Sequence, residues 1–378
     1  MKHTGNLTIK DTGQPGVFKD FVRLPYRLYH KNPQWVPPLF SEEKRTLDKK
    51  QNPFLKKNPA ILYVCYKDKT PVGRIAGIIN EAHNKIHKDN TAFFGFFESI
   101  PDDAVAGQLF QAVSHWVKDR GADTLRGPTN FSLNDVSGLL IEGFDEPPFI
   151  LMPYNPPYYV ELLRKNGFEI VMRYLAYYVA REAVKIPGFM EKLEKRLKNN
   201  GIIIRNIDFS NLERDSKMIV EIFNHSWNEN WGFVPVSYEE ALEDFRKVRV
   251  FAKTDLIFIA EHEGRPVGFA LALPDIHQAI KPLNGRLLPF NWIKLLRNIK
   301  KIDQIRVLLM GVLKEYRSKG VDLMFYKKIV DSSFRYNFRR AELSWILEDN
   351  RMMNRVLEHI NAKVGKSYAI FEKDISHR

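Results

Sequence analysis

The residues best suited to chemistry lie at Arg317-Ser318-Lys319-Gly320-Val321-Asp322. They follow an apolar run, Ile305–Val312, and precede a helical pattern of Leu323, Phe325, Tyr326, Ile329, Val330 and Phe334. A buried strand, a glycine turn and a helix start together make an anion site. The first backbone N–H groups of a helix have no intrahelical partner, and the helix dipole adds positive charge there. Arg317 and Lys319 bring full charges suited to phosphate oxygens. Asp322 brings a negative charge to the same turn, where a helix N-cap is its natural role. The alternative is a plain crossover turn with solvated basic residues.

Three other stretches carry polar chemistry. Residues 127–138 read GPTNFSLNDVSG, and Asn130, Ser132, Asn134 and Asp135 are candidate substrate-binding groups lining a cleft. The same residue types also stabilise turns by bonding to nearby backbone, so a long structural loop is the competing reading. In Asn224-His-Ser-Trp227-Asn-Glu-Asn-Trp231, Asn224, Trp227 and Trp231 are candidates to hold an amine-bearing head and its apolar tail. Trp227 and Trp231 also have the spacing of two core residues on one helix face. His83 and His87 have a helical metal-ligand spacing without the glutamate of a zinc protease motif, so no metal is expected. Cys65 stands alone in an apolar run, which excludes an intrachain disulfide and fits a reducing compartment.

The elements that position these groups occur twice. AILYVCYKDKTPVGRIAGIIN and LIFIAEHEGRPVGFALALPD each read strand, polar turn, strand, and their Pro-Val-Gly triplets lie 195 residues apart. Each hairpin leads to another apolar strand, Phe93–Glu98 or Ile305–Val312, and then to an amphipathic helix. The first such helix covers about Asp102–Arg120. The halves differ at the turn: the first has Ser99-Ile-Pro-Asp-Asp103, whose acids repel phosphate. The chain of 378 residues carries a net charge of +13, which points to an anionic partner. No zinc spacing or RNA-binding aromatic motif favours nucleic acid. No apolar window approaches a membrane span, and the N-terminal stretch does not read as a signal peptide. The expected location is the cytoplasm, with the inner face of the membrane as a further candidate.

The turn Arg317-x-x-Gly320-x-Asp322 resembles the pyrophosphate loop of the GNAT acyltransferases, Arg/Gln-x-x-Gly-x-Gly/Ala, with Asp322 as the departure. The repeated order of helices, hairpin, strand, helix, strand, helix and strand is similar to that of a GNAT domain. The resemblance implies an α/β (mixed α+β) chain of two tandem GNAT domains, each a mostly antiparallel twisted sheet flanked by helices. Residues 1–185 would form a degenerate, substrate-shaping domain, and residues 186–378 the domain holding the acyl donor. FFGFFE, RGPTNFSLND, GFDEPP, YNPPYY, NGRLLPFNW and MGVLKEYRSKGVD narrow the resemblance to a bacterial group that includes ceramide synthases.

That resemblance implies N-acylation of an amine, possibly a long-chain sphingoid-type one, by an acyl-CoA or acyl carrier protein thioester. Met310, Gly311 and Val312 would pair with the pantetheine arm, and Arg317–Asp322 would hold its phosphates. The family often has an asparagine at the start of the helix after the fifth strand and a tyrosine about seven residues later. Asn350 matches, but position 357 is leucine; Glu342, Ser344, Glu348 and Tyr368 are the substitutes for proton transfer. The segment 276–303 is an insertion relative to a GNAT domain. Within it LLPFNWIKLLRNIKKI forms a basic amphipathic helix, opened by Pro289 and suited to an anionic bilayer or an acidic carrier protein. Residues 281–301 hold six basic and no acidic side chains. Two rival classes are an aminoacyl-tRNA-dependent transferase of the Fem type and a non-catalytic membrane- or carrier-binding protein.

Overall fold

The computed structural model describes residues 6–184 and 186–376. The chain forms two compact units: residues 1–174, 280–292 and 366–378 make the first, and 175–279 and 293–365 the second. The units are therefore not two contiguous halves. The segment 276–303 is divided between them, and the end of the last strand belongs to the first.

In the first unit the elements run β1 (Leu7–Asp11), α1 (Val17–Leu28), α2 (Phe40–Leu47), α3 (Pro53–Lys57), β2 (Ala60–Lys67), β3 (Thr70–Ile79), α4 (Glu81–His87) and β4 (Thr91–Ser99). Then come α5 (Asp103–Lys118), β5 (Thr124–Gly127), the small pair β6 (Thr129–Asn130) and β7 (Val136–Ser137), β8 (Leu139–Glu142), α6 (Tyr158–Lys165) and β9 (Glu169–Ala180). The second unit takes over within β9. It continues through α7 (Met190–Asn199), β10 (Ile202–Asn206), α8 (Leu212–Ser226), α9 (Tyr238–Val248), β11 (Ile257–His262), β12 (Arg265–Pro274), α10 (His277–Ile280) and α11 (Asn291–Ile299). It ends with β13 (Gln304–Val312), α12 (Val321–Arg335), β14 (Arg340–Leu347), α13 (Arg351–His359) and the start of β15 (Lys363–Asp374).

The sequence repeat folds alike in both units. β1 to β4 form an antiparallel meander, as do β10 to β13. Two-residue turns join the hairpins: Asp68-Lys69 at φ 48° and 69°, Glu263-Gly264 at φ 52° and 78°. Positive φ at both positions is the turn whose twist matches a right-handed strand pair. Just after each turn the register slips at Pro-Val-Gly, where the proline needs no ladder hydrogen bond.

The fourth strand of each meander then pairs in parallel with the fifth. β4 meets β5 at Thr91–Phe93, and β13 meets β14 at Gln304–Val307. Each helix between these strands buries one face on its own sheet. For α5 this face is Val105, Ala106, Leu109, Phe110, Val113 and Val117. Truncating Phe110 to alanine there would cost about 3–5 kcal/mol by lost burial and an unfilled cavity.

Candidate active site

The turn after β13 is built by its backbone. A single 3-10 turn (Lys314–Tyr316) leads to Arg317 in extended conformation, then Ser318 at φ 66°. Gly320, at φ 90°, is the N-cap of α12 and has no side-chain cap. A β-carbon at Gly320 would lie 2.8 Å from Leu193 Cδ1 of α7, so both conformation and space require glycine. Asp322 is therefore not the N-cap that its sequence position suggests. Asp322 stands in the first turn, where its charge complements the helix dipole. Arg317, Ser318, Lys319 and Asp322 are exposed, while Gly320 and Val321 are buried.

The basic side chains of the turn are partly held. Arg317 donates from Nε to the Val312 carbonyl at 3.1 Å and from its guanidinium to the Ser226 carbonyl at 3.4 Å. Lys319 lies over the Tyr316 ring at 4.2 Å, leaving its ammonium exposed at the turn. The whole arrangement presents a helix start and two cations to solvent at the end of one strand.

That strand has a free edge. β13 stays paired with β12 as far as Val312 but leaves β14 after Val307. Leu308 bulges out of the β12 ladder, between Val307 and Leu309. Val307, Leu308, Leu309 and Met310 are accordingly only half-buried. Gly311 sits beneath Trp227, the C-cap of α8, and a β-carbon there would come within 2.3 Å of the indole. Trp227 in turn stacks on Phe223 with ring centres 4.9 Å apart.

At the base of the opening, where β13 and β14 are still paired, Arg306 faces Glu342. Both are buried, with Arg306 Nε 3.6 Å from Glu342 Oε1. Ser344 joins them: its Oγ donates to Glu342 Oε1 at 2.6 Å and accepts from Arg306 Nε at 2.9 Å. A buried ion pair with such hydrogen bonds fixes the strands that diverge beyond it. Glu348 is exposed beyond the end of β14, and Asn350 caps α13 by accepting from the Met353 N–H at 3.2 Å. Leu357, where the family has tyrosine, is buried in the apolar cluster with Val179 and Leu343.

The other polar candidates are engaged locally. Asn224 bonds both ways to the backbone of Val236 across the loop between α8 and α9, at 3.0 and 3.1 Å. Trp231 is not on a helix face with Trp227, because α8 ends at Ser226. In the first unit, Asn130 Oδ1 accepts from the Phe96 N–H at 2.8 Å. Ser132 Oγ donates to Asp135 at 2.8 Å and accepts from the Asn134 N–H at 3.2 Å. Tyr368 belongs to the sheet of the first unit, opposite Leu140. Pro289 precedes the start of α11, which begins at Asn291. His83 is buried, 3.5 Å from Asp89, and burial pushes its imidazole down to about 4. Among the described residues no group of three or more metal-ligating side chains occurs.

One buried cluster has only a faint signature in the sequence. In the first unit Glu98, at the end of β4, accepts from Tyr29 and from Tyr159 at 2.8 Å, with Arg74 at 3.7 Å. Arg74 is also tied to Glu43 at 3.0 Å and to the Phe21 carbonyl at 2.8 Å. Burial drives the Glu98 carboxyl up to about 7, although Arg74 and the two hydroxyls pull the other way. A carboxylate inside FFGFFE and an arginine inside PVGRIAG were the available signals, since charges in apolar runs demand partners.

A meander, a parallel fourth and fifth strand that part company, and a glycine turn into a helix define the GNAT fold. Comparison with solved structures agrees. A tandem GNAT protein from the clavulanic acid biosynthesis pathway superimposes with a TM-score of 0.59 at 10% identity, covering 99% of this chain and 100% of that one. A GCN5-related N-acetyltransferase from Sphaerobacter thermophilus gives 0.53 at 13% identity over 98% and 96% of the two chains. The chain thus has a tandem GNAT fold. No family model matches the chain. It is 35% identical over 363 residues to Protein YghO of Escherichia coli strain K12, covering 94% of this chain and 93% of the relative. It is 32% identical over 375 residues to the bacterial ceramide synthase of Caulobacter vibrioides, covering 97% of each. The chain belongs to the family these two proteins represent.

Proposed function

We propose that the second unit binds an acyl thioester, on coenzyme A or an acyl carrier protein, and transfers its acyl group to a long-chain amine. The observation that carries this reading is the parting of β13 from β14 after Val307. It frees a strand edge that leads straight to the glycine turn. The pantetheine arm has the amide spacing to add to that edge at Met310–Val312, as an extended peptide adds to a sheet. The α12 start, Lys319 and Arg317 then stand where its phosphates end. The ceramide synthase relative supports a sphingoid-type acceptor.

In this mechanism the neutral amine nitrogen attacks the thioester carbonyl. Backbone amides of β13 stabilise the oxyanion, which collapses to the amide and a thiolate. The amine's surplus proton passes to Glu348 or to water, and the thiolate takes one up. Glu342 is committed to Arg306 and Ser344, so its part is to hold the base of the opening; Asn350 fixes the start of α13. Trp227 covers the donor strand at Gly311, and Asn224, near the end of α8, ties down the loop that carries Trp231; these three are the proposed amine contacts. In the first unit, the polar loop with Asn130, Ser132, Asn134 and Asp135 is a separate candidate surface for a polar head group.

Segment 287–302 is the proposed contact with the anionic inner face of a membrane. Leu288, Phe290, Trp292 and Leu296 are 76%, 74%, 49% and 52% exposed beside its basic residues. Among the described residues no helix is long and apolar enough to cross a membrane. Co-sedimentation with vesicles containing phosphatidylglycerol should be lost in Trp292→Glu. The function itself is tested by incubating the protein with palmitoyl-CoA and sphinganine and weighing the products. An N-acyl amine is expected; free CoA without amide, or no turnover, would overturn the assignment.

A further inference from the structure

The second unit contains a cavity that the transfer reaction as described does not use. It lies between the paired part of β13 and β14 and the body of α12, with the end of β9 closing it. Ile305, Val307, Met310, Ile329, Ala341 and Leu343 are among its lining residues, Arg181 and Arg340 line it too, and almost all of its surface is apolar. Its enclosed space is about 50 Å³, within about 510 Å³ of free space that includes open solvent. A void of this kind, lined by aliphatic side chains, holds no water well and forfeits packing energy unless something apolar fills it.

Two features tie the cavity to the donor rather than to an unrelated ligand. Met310 lines it and also belongs to the strand edge assigned to the pantetheine arm, so the cavity begins where the thioester end of that arm lies. Tyr326 lines it as well, and its buried hydroxyl has no hydrogen-bond partner among the described residues. An unpaired buried hydroxyl costs about 1–3 kcal/mol. An occupant with a long aliphatic chain and one acceptor oxygen at its head would meet both the walls and this hydroxyl.

We infer that this cavity is the acyl-chain site: it takes the aliphatic tail of the thioester donor, and its depth, set by Ala341 and Ile329, selects chain length. The inference rests on the proposed donor site and extends it to specificity. A saturated chain in an aliphatic pocket gains about 0.8 kcal/mol per buried methylene, so each carbon that fits or fails to fit is read in the rate.

The test has two readouts. The first needs no turnover: titrate the full-length protein with cis-parinaric acid, whose fluorescence rises in an apolar site. One equivalent should bind the wild type, and Ala341→Phe, which projects into the cavity, should weaken binding about tenfold or more. Equal binding by both proteins overturns the inference. So does absence of binding by the wild type. Since overpacking can destabilise a core, Ile329→Ala supplies the opposite change. The second readout is kcat/KM over acyl-CoA donors of increasing length. Ala341→Phe should shift the optimum to shorter chains and Ile329→Ala to longer ones; an optimum fixed in both variants also overturns it. Parinaric acid binding without acyl transfer would keep the cavity assignment and sink the transferase reading.

Discussion

The two units place different residues at the same structural station. The Pro-Val-Gly glycines, Gly73 and Gly268, pair with Ser99 and Val312, so Glu98 in β4 stands where Gly311 stands in β13. Above Gly311 lies Trp227, the C-cap of α8; bonded to Glu98 is Tyr29, the C-cap of α1. Both strands leave their parallel neighbours after a few residues. In the first unit that departure is filled. Gly95 lies so close beneath the Thr129 carbonyl that a β-carbon would be 1.7 Å from it, and Asn130 caps the Phe96 amide. β4 is buried almost throughout, whereas Val307–Met310 of β13 are half open. The turn after β4 ends in Asp102 as N-cap, with Asp103 following. One frame therefore serves two ends: the first unit satisfies its own amides beside two acids, and the second leaves a half-open strand edge beside two cations.

Exchanging features between the units is the strongest way to break this contrast. Gly311→Glu copies Glu98 into β13, where the carboxylate would run into the Trp227 indole. Coenzyme A binding should be abolished, read by calorimetry, and the fold destabilised by several kcal/mol. Glu342→Ala strands Arg306 without its buried partner and should cost about 3–5 kcal/mol in denaturant unfolding, against less for Glu342→Gln.

Glu98 supplies a pH test confined to the first unit. Its carboxyl titrates near 7 when folded and near 4.5 when unfolded. The folded state therefore binds the extra proton between those values. Stability falls as pH rises through that window, by up to about 3 kcal/mol. Glu98→Gln should flatten the slope between about pH 4.5 and 7, and an unchanged slope would assign it to another group. Smallest of these effects, Asn130→Ala leaves the Phe96 amide unpaired and should cost about 1–3 kcal/mol while coenzyme A affinity stays as it was. A parallel loss of affinity would show that the first unit takes part in donor binding.

Much of this contrast was legible in the residues. The duplicated Pro-Val-Gly hairpin, the glycine turn and the acidic counterpart at 99–103 are local patterns, and local patterns survive in one dimension. The apolar runs gave β4 and β13 for the same reason. What escaped depends on contacts between residues far apart in sequence. Nothing near Asn130 announces that its side chain caps Phe96, 34 positions away. Asn224 likewise looked like a ligand for an amine, and instead ties its loop to Val236. Asp322 could not be separated from an N-cap without knowing that Gly320 takes that position in a left-handed conformation. Of the polar residues proposed from sequence, Glu342 changed most in meaning: its partner Arg306 lies in a different strand, and only the parallel register joins them.

Hydrogen exchange with and without coenzyme A tests the central claim most directly, because it reads the backbone amides of both units in one experiment. Addition of coenzyme A should slow exchange in peptides covering Met310–Val312 and Ser318–Asp322 and leave Phe96–Asp103 unchanged. Unaltered exchange across 310–322, or protection appearing instead at 96–103, would contradict the account.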